Sequence, residues 1–395
     1  MRHFEMFLAV LLAGVGVASV QGQQRQNAAN VKRLDGSTIP AAQIDATVNR
    51  LIGAAKVPGL GLAILNDRKI VYLKAYGLRN TEKKLPMTPD TVMTAASLTK
   101  STFAYMVMQL VQEGVLDLDK PLYQYLSADL SEYRCCRDLA GDERSKKITA
   151  RMCLDHTTGF PNLRQFTDDK KLSINFEPGS RYAYSGEGVR LLELAVEIIT
   201  GKDNKDLMQE RIFGPLGMKR TSMNWQERFE GDYADGYDEQ GKSLGPERRH
   251  DDSAVGGMQT TPADFALVVQ GVLQGKLLNK KAKDLMLSPQ IAILSKHEFP
   301  TLRNETTEEN KKIRLSYGLG WGLYWTPYGK AFFKEGHDDG WRNYTVCFDD
   351  AGIGIVIMTN SANGEGIYKE LLETIQKNTF TPIEWEGFTP YNQAK

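Results

Sequence analysis

Apolar residues recur along this chain with two periods, and the points where the period changes mark out its elements. Ile44, Val48, Leu51 and Ile52 fall on one side of a helix that ends at Val57-Pro58-Gly59. Two short apolar runs follow, residues 61–65 and 70–76, joined by Asn66-Asp67-Arg68-Lys69, and they predict an antiparallel hairpin. Phe103, Met106, Val107, Leu110 and Val111 predict a second helix, with Gly114 as its stop. From there to about residue 310 helices and loops dominate. One of these helices carries Leu191, Leu192, Ala195, Ile198 and Ile199 and closes on Gly201. Another opens at Thr261-Pro262-Ala263-Asp264, a capping threonine with proline at the first helical position and an acid at the third. Strand character returns over 317–324 and 331–334, and again in the pair 344–348 and 353–360, which Asp349-Asp350-Ala351-Gly352 links as a hairpin. Ile367, Leu371, Leu372 and Ile375 make a last helix. Strands at both ends with helices between them predict an α/β chain of the α+β type. Its antiparallel sheet is built from both chain ends and flanked by helices, and its middle lobe is mainly helical.

Composition narrows the partners. With 49 basic and 49 acidic residues and no long run of either sign, nothing points to nucleic acid. Met1-Arg2-His3 precedes an apolar run from Met6 to Val20, followed by the polar Gln21-Gly22-Gln23-Gln24. The run is short for a membrane span, and its small residues suit a signal peptidase near Ser19 or Gly22. The expected division is a signal peptide over 1–22, a polar tail over 23–39, one domain over 40–378 and a C-terminal tail over 379–395. The mature protein is then periplasmic or secreted, with no stable membrane anchor after cleavage. Of the four cysteines, Cys153 reads as a buried thiol, and the neighbours Cys135 and Cys136 are of a kind that rarely bond each other.

The candidate chemistry begins at Ala95-Ala96-Ser97-Leu98-Thr99-Lys100-Ser101, where the second helix starts. Residues three apart share a helical face, so the Lys100 amine can reach the Ser97 hydroxyl, and the positive end of the helix favours alkoxide character there. That is a nucleophile with a base at hand. By itself Ser-x-x-Lys is a weak signal. Tyr184 stands on a short loop just before the helix of Leu191, and His337 stands at a strand end in Glu335-Gly336-His337-Asp338-Asp339-Gly340-Trp341. His250-Asp251-Asp252 and His337-Asp338-Asp339 lack helical His-x-x-x-His spacing, so no metal is expected.

Taken together, Ser97-Leu98-Thr99-Lys100, Tyr184-Ser185-Gly186 and His337-Asp338-Asp339-Gly340 stand in the order of the three active-site motifs of the serine beta-lactamase and penicillin-binding-protein superfamily. The chain resembles its class C beta-lactamase-related branch, which includes esterases, D-aminopeptidases and carboxypeptidases. Asp155-His156-Thr157-Thr158-Gly159, Pro178-Gly179, Gly256-Gly257-Met258 and Tyr317-Gly318-Leu319-Gly320-Trp321 support the resemblance, which runs from about residue 40 to 378.

The resemblance implies acyl transfer without a cofactor. Ser97 attacks a carbonyl, Lys100 takes or relays its proton, and Tyr184 works beside the lysine as base and leaving-group acid. His337 stands in for the lysine of the family's Lys-Thr-Gly, and the backbone N–H groups of Ser97 and Gly340 form the oxyanion hole. Ser185, Gly186, Asp338 and Asp339 line the substrate. His156 reads as a structural member of its loop. The implied partner is a small-molecule ester or peptide, cell-wall fragments included. Three departures matter: Gly186 replaces the asparagine of the family's Tyr-x-Asn, His337 replaces a lysine, and Asp339 falls where a glycine is usual. An alternative within the fold is a penicillin-recognising DD-peptidase or beta-lactamase. An alternative of another class is a non-catalytic binding or sensor module.

Overall fold

The computed structural model describes residues 27–393. The expected signal peptide lies outside the described residues. Nine strands form one antiparallel sheet: β1 (Gly59–Asn66), β2 (Lys69–Asn80), β3 (Leu85–Pro86), β4 (Ile291–Ala292), β5 (Ser316–Tyr317), β6 (Gly322–Thr326), β7 (Gly329–Asp338), β8 (Trp341–Phe348) and β9 (Ile353–Thr359). Their order across the sheet is β4-β5-β6-β7-β8-β9-β1-β2-β3. The last long strand therefore pairs with the first, Thr359 opposite Leu60 and Gly354 opposite Leu65, and the two chain ends make one sheet as expected.

Both predicted hairpins form. Asp67 and Arg68 turn β1 into β2 with φ of +49° and +60°, the left-handed pair that matches the twist of the flanking strands. The strand expected over 317–324 is instead two strands. Ser316 pairs with Leu323 and Tyr317 with Gly322 across a tight turn, in which Gly318 N–H donates to Trp321 O at 2.8 Å and Gly320 sits at φ +84°. The glycines that interrupt the apolar run are what fold it back.

Helices cover both faces. On one, α1 (Ala41–Ala54) packs Ile44, Val48, Leu51 and Ile52 with Leu60, Leu62, Ile64, Ile355 and residues of α5 (Tyr368–Gln376). On the other, α2 (Leu98–Gln112) and α4 (Pro262–Gln274) pack against Ala63, Leu65, Phe332, Val356 and Met358. A Cβ at Gly61 would lie 2.1 Å from Pro262 Cγ, so α4 can seat on β1 only where the side chain is missing. The helical lobe, with α3 (Gly186–Thr200), closes over α2, and every residue from Leu98 to Leu110 is buried. A helix buried all round is the axis of the molecule rather than a surface element. Among the described residues no helix is long and apolar enough to cross a membrane.

Candidate active site

Everything at the site is arranged about the first turn of α2. Ala96 is held at φ +50°, a conformation that costs a non-glycine residue energy and is kept only where its surroundings over-determine it. Here they do. Ala95 N–H donates to Met258 O at 3.0 Å, Met258 N–H donates to Thr99 Oγ1 at 3.3 Å, and Thr99 Oγ1 donates to Ala96 O at 2.6 Å. From β8, Asn343 Nδ2 donates to Thr94 O and Ala95 O at 3.0 and 3.2 Å. Gly257, just before Met258, is packed among backbone: a Cβ there would lie 2.9 Å from both Asp251 O and Met223 O. The result is a half-buried Ser97 at the N-cap of a buried helix.

Lys100 Nζ lies 2.9 Å from Ser97 Oγ and donates to Val255 O at 2.6 Å. The side chain is almost wholly buried. Burial, and next the ammonium of Lys334, hold the amine well below the ordinary lysine range. An amine in that state exchanges a proton with the serine more readily than an ordinary lysine does.

Tyr184 is also buried, its ring 5.2 Å from Lys100 Nζ and 4.8 Å from Lys334 Nζ. Lys334 Nζ donates to its hydroxyl at 3.2 Å. Burial foremost, then the Glu335 carboxylate, push the phenol well above its usual range, while a hydrogen bond with Ser97 works the other way. Tyr184 thus rests as a phenol that touches the nucleophile. His156 holds the loop: its Nδ1 accepts the Ser185 N–H at 3.2 Å and its ring tilts against Tyr184 at 4.4 Å. Burial, and next Lys334, keep that imidazole neutral.

The strand-end motif falls differently from expectation. His337 does not turn its ring toward Ser97. Alternation along β7 puts it on the face of Phe333 and Glu335, where it lies 5.2 Å from the Phe388 ring with Nε2 3.8 Å from Glu365. The side chain of this strand that meets Tyr184 is Lys334, three residues earlier, in Lys334-Glu335-Gly336. Gly336 packs against the nucleophile turn so tightly that a Cβ would lie 2.6 Å from Ala95 O. Gly340 is elsewhere: it turns the β7–β8 hairpin at φ +75° against Gly236 and Tyr237. The signal was present in the sequence, since Lys-x-Gly spacing fits Lys334 and Gly336 without any bulge.

Of the expected substrate-lining residues, Ser185 is fully buried and its hydroxyl is committed to structure, accepting from Gly188 N–H at 2.9 Å and donating to Pro161 O at 2.8 Å. It caps α3. Gly186 is walled by Leu163 Cδ2 and Val255 Cγ1, each 3.0 Å from where its Cβ would stand. Asp338 is on the site face of β7, ion-paired to Arg249, which also meets Glu247 at 2.6 Å. Asp339 is exposed in the hairpin turn. Among the described residues no group of three or more His, Cys, Asp or Glu side chains is arranged to hold a metal.

Comparison with known proteins gives the family and the fold. The family model described as Beta-lactamase matches residues 44–377. A D-aminopeptidase of Brucella anthropi is 30% identical over 192 residues, 47% of this chain and 37% of that protein, so the chain spans little more than a third of that relative. A beta-lactamase of Pseudomonas fluorescens is 25% identical over 303 residues, 74% of this chain and 77% of that one. Among solved structures, the octameric penicillin-binding protein homologue from Pyrococcus abyssi shares the fold with a TM-score of 0.68 at 22% identity, over 87% of this chain and 80% of that one. Matched along most of its length and bearing serine, lysine and tyrosine around one helix end, the chain belongs to the beta-lactamase family.

Proposed function

We propose that the protein is an exported serine hydrolase that works through an acyl-enzyme on Ser97. The observation that carries this reading is the buried Lys100 amine 2.9 Å from Ser97 Oγ, with Tyr184 on the same hydroxyl. As Ser97 Oγ bonds to the substrate carbonyl carbon, its proton moves to Lys100. Tyr184 gives its proton to the leaving oxygen or nitrogen, and Lys100 restores the phenol. Water then attacks the acyl carbon and frees Ser97.

The oxyanion needs two donors, each worth roughly 3 kcal/mol in the transition state. One is the Ser97 N–H, and His337 supplies the other from its backbone. β6 begins at Gly322 opposite Phe333, which leaves the Lys334–Asp338 edge of β7 without a strand partner. The two-residue turn makes Asp338 and Trp341 the closing pair, so by alternation the His337 N–H points to that free edge.

Substrate class follows from what surrounds the nucleophile. Leu163 and Val255 fill the space beside Gly186 in which an asparagine amide would hold a peptide-like acyl group. Lys334, the cation that would draw a substrate carboxylate, is matched by Glu335. Both favour uncharged esters and small amides over beta-lactams and cell-wall stems. A lysine rather than a histidine beside Tyr184 is the one feature on the side of the penicillin-recognising reading.

Wild type is expected to turn over nitrophenyl esters and to be labelled by a fluorophosphonate, with Ser97→Ala losing both while keeping its circular dichroism. Turnover that survives in Ser97→Ala places the nucleophile elsewhere. Failure of wild type to label under any condition favours a binding module, and a lasting fluorescent-penicillin adduct favours the penicillin-recognising alternative. N-terminal sequencing of protein recovered outside the cytoplasm should begin shortly after Ser19 or Gly22.

A further inference from the structure

Behind Tyr184 lies a group of acidic side chains that the reaction above does not use. Glu335 on β7, Glu298 just before the Phe299–Pro300 bond, and Glu386 in the short helix Ile383–Glu386 are 3%, 2% and 5% exposed. They come from three distant parts of the chain and converge on Lys334, which has no exposed surface at all.

Their partners differ. Glu335 is ion-paired with Lys334 and hydrogen-bonded to the Tyr184 hydroxyl. Glu298 takes a hydrogen bond from Tyr182 at 3.4 Å and Glu386 one from Tyr344 at 3.1 Å, and the second oxygen of each is buried without a partner among the described residues. Three carboxylates cannot all be ionised around one ammonium in a dry pocket. Burial, and next the charge of Glu335, push the Glu298 carboxyl well above the ordinary carboxylate range. Burial, then Glu298 and Glu335, do the same for Glu386. Other titratable groups facing the cluster include Lys100, His156 and His337, each pushed down first by burial, and Tyr182, Tyr317 and Tyr344, whose phenols burial pushes up. Of the three carboxylates, Glu335 is the one hydrogen-bonded to the Tyr184 hydroxyl, whereas Glu298 is held by Tyr182 and Glu386 by Tyr344.

We propose that Glu335, paired with Lys334 and hydrogen-bonded to the Tyr184 hydroxyl, is the proton acceptor for deacylation, acting through Tyr184. As water bonds to the acyl carbon, its proton passes to Tyr184 Oη and the Tyr184 proton passes to the Glu335 carboxylate. When the C–O bond to Ser97 breaks, Ser97 Oγ takes a proton from Tyr184, and Glu335 returns its proton to the phenol. One water is consumed, one carboxylic acid is released, and every side chain ends as it began. Acylation draws on Lys100 and does not need this route, so Glu335 is a positioning and relay residue for the second half-reaction.

The inference rests on the serine-hydrolase reading, and its test separates the two. With a nitrophenyl ester, Glu335→Gln should keep the burst of nitrophenol at close to the wild-type rate and slow the following steady state about a hundredfold. Acyl-Ser97 should accumulate to a mass detectable in the intact protein, and Glu335→Asp should recover part of the steady rate. Equal loss of both phases, or an unchanged steady rate, overturns the proposal. If the glutamine variant does not fold, the same comparison is made on Glu335→Asp, whose steady rate should fall while its burst stays near that of wild type. Equal loss of both phases in that variant overturns the proposal. A wild type that neither labels nor turns over ends the hydrolase reading itself, which is a different result from any of these.

Discussion

Lys334 Nζ donates to Tyr184 Oη across 3.2 Å, joining residues 150 positions apart where β7 runs free of β6. Glu335, the next residue along, closes on the same ammonium from the other face of the strand. The contact does two things at once: it sets a cation against the phenol and it cancels most of that cation for anything approaching from solvent.

Breaking the pair from one side should therefore be costly. Lys334→Met leaves Glu335 buried and uncompensated, and we expect a loss of about 3–5 kcal/mol in urea unfolding. The double change Lys334→Met with Glu335→Gln should regain most of it, because both charges then leave together. A single variant as stable as the double would show that Lys334 and Glu335 are not coupled.

Refilling the family's asparagine position should hurt rather than help. A Cβ at Gly186 already stands 3.0 Å from Asn162 O, Leu163 Cδ2 and Val255 Cγ1, so Gly186→Asn must displace the wall of the cleft. The expected outcome is a loss of about 1–3 kcal/mol in thermal or urea unfolding and a lower ester kcat/KM. A rise in amide turnover without loss of stability would contradict the apolar reading of that wall.

Away from the nucleophile, Glu193 offers a test in pH. It accepts Ala254 N–H at 2.8 Å and Asn204 Nδ2 at 3.0 Å, and burial pushes its carboxyl up to about 8 from an ordinary 4.5. A folded-state value above the unfolded one means that the native protein holds the proton more tightly. Its contribution is complete below about pH 4.5 and is lost as pH rises toward 8, by an amount on the order of a few kcal/mol. Glu193→Gln keeps the accepting oxygen and cannot ionise, so its melting temperature should fall less than wild type between pH 5 and pH 8. Parallel curves would show that Glu193 ionises normally.

Charge at the mouth should set selectivity. Asp338 ties down Arg249, which also meets Glu247, and the removal of one carboxylate frees a guanidinium beside the nucleophile turn. Asp338→Asn should lower KM for a carboxylate-bearing ester about three- to tenfold at low salt, with little change for a neutral one and with the gain fading as ionic strength rises. Equal effects on both esters would mean that Asp338 acts on the fold of the hairpin.

Much of this was legible along the chain because it is local. A nucleophile and its base three residues apart on a helix need no tertiary information, nor does the period-2 pattern of the two terminal hairpins. Hairpin turns announce themselves by composition, as at Asn66-Asp67-Arg68-Lys69. Misreadings arose where neighbours in space overrule neighbours in sequence. The run 317–324 looked like one strand until its glycines folded it against α2, where a Cβ at Gly320 would lie 2.2 Å from Ala104 Cβ. His337 matches the histidine-bearing form of the family motif, yet which face of β7 meets α2 depends on register, and a shift of one residue exchanges every side chain on the two faces.

By itself, then, the sequence determined the antiparallel sheet made from both ends, the helical lobe between them, and the spacing that sets Lys100 against Ser97 on one helical face. These are matters of periodicity, capping and short spacing. Tertiary structure decided which of two residues the sequence offers, Lys334 or His337, faces the phenol, and it alone decided that Leu163 and Val255 take the space beside Gly186 and that Glu298, Glu335 and Glu386 are buried around one ammonium. The physical reason is that protonation and recognition depend on burial and on charges brought together from remote segments, and neither is a property of any stretch of chain taken alone.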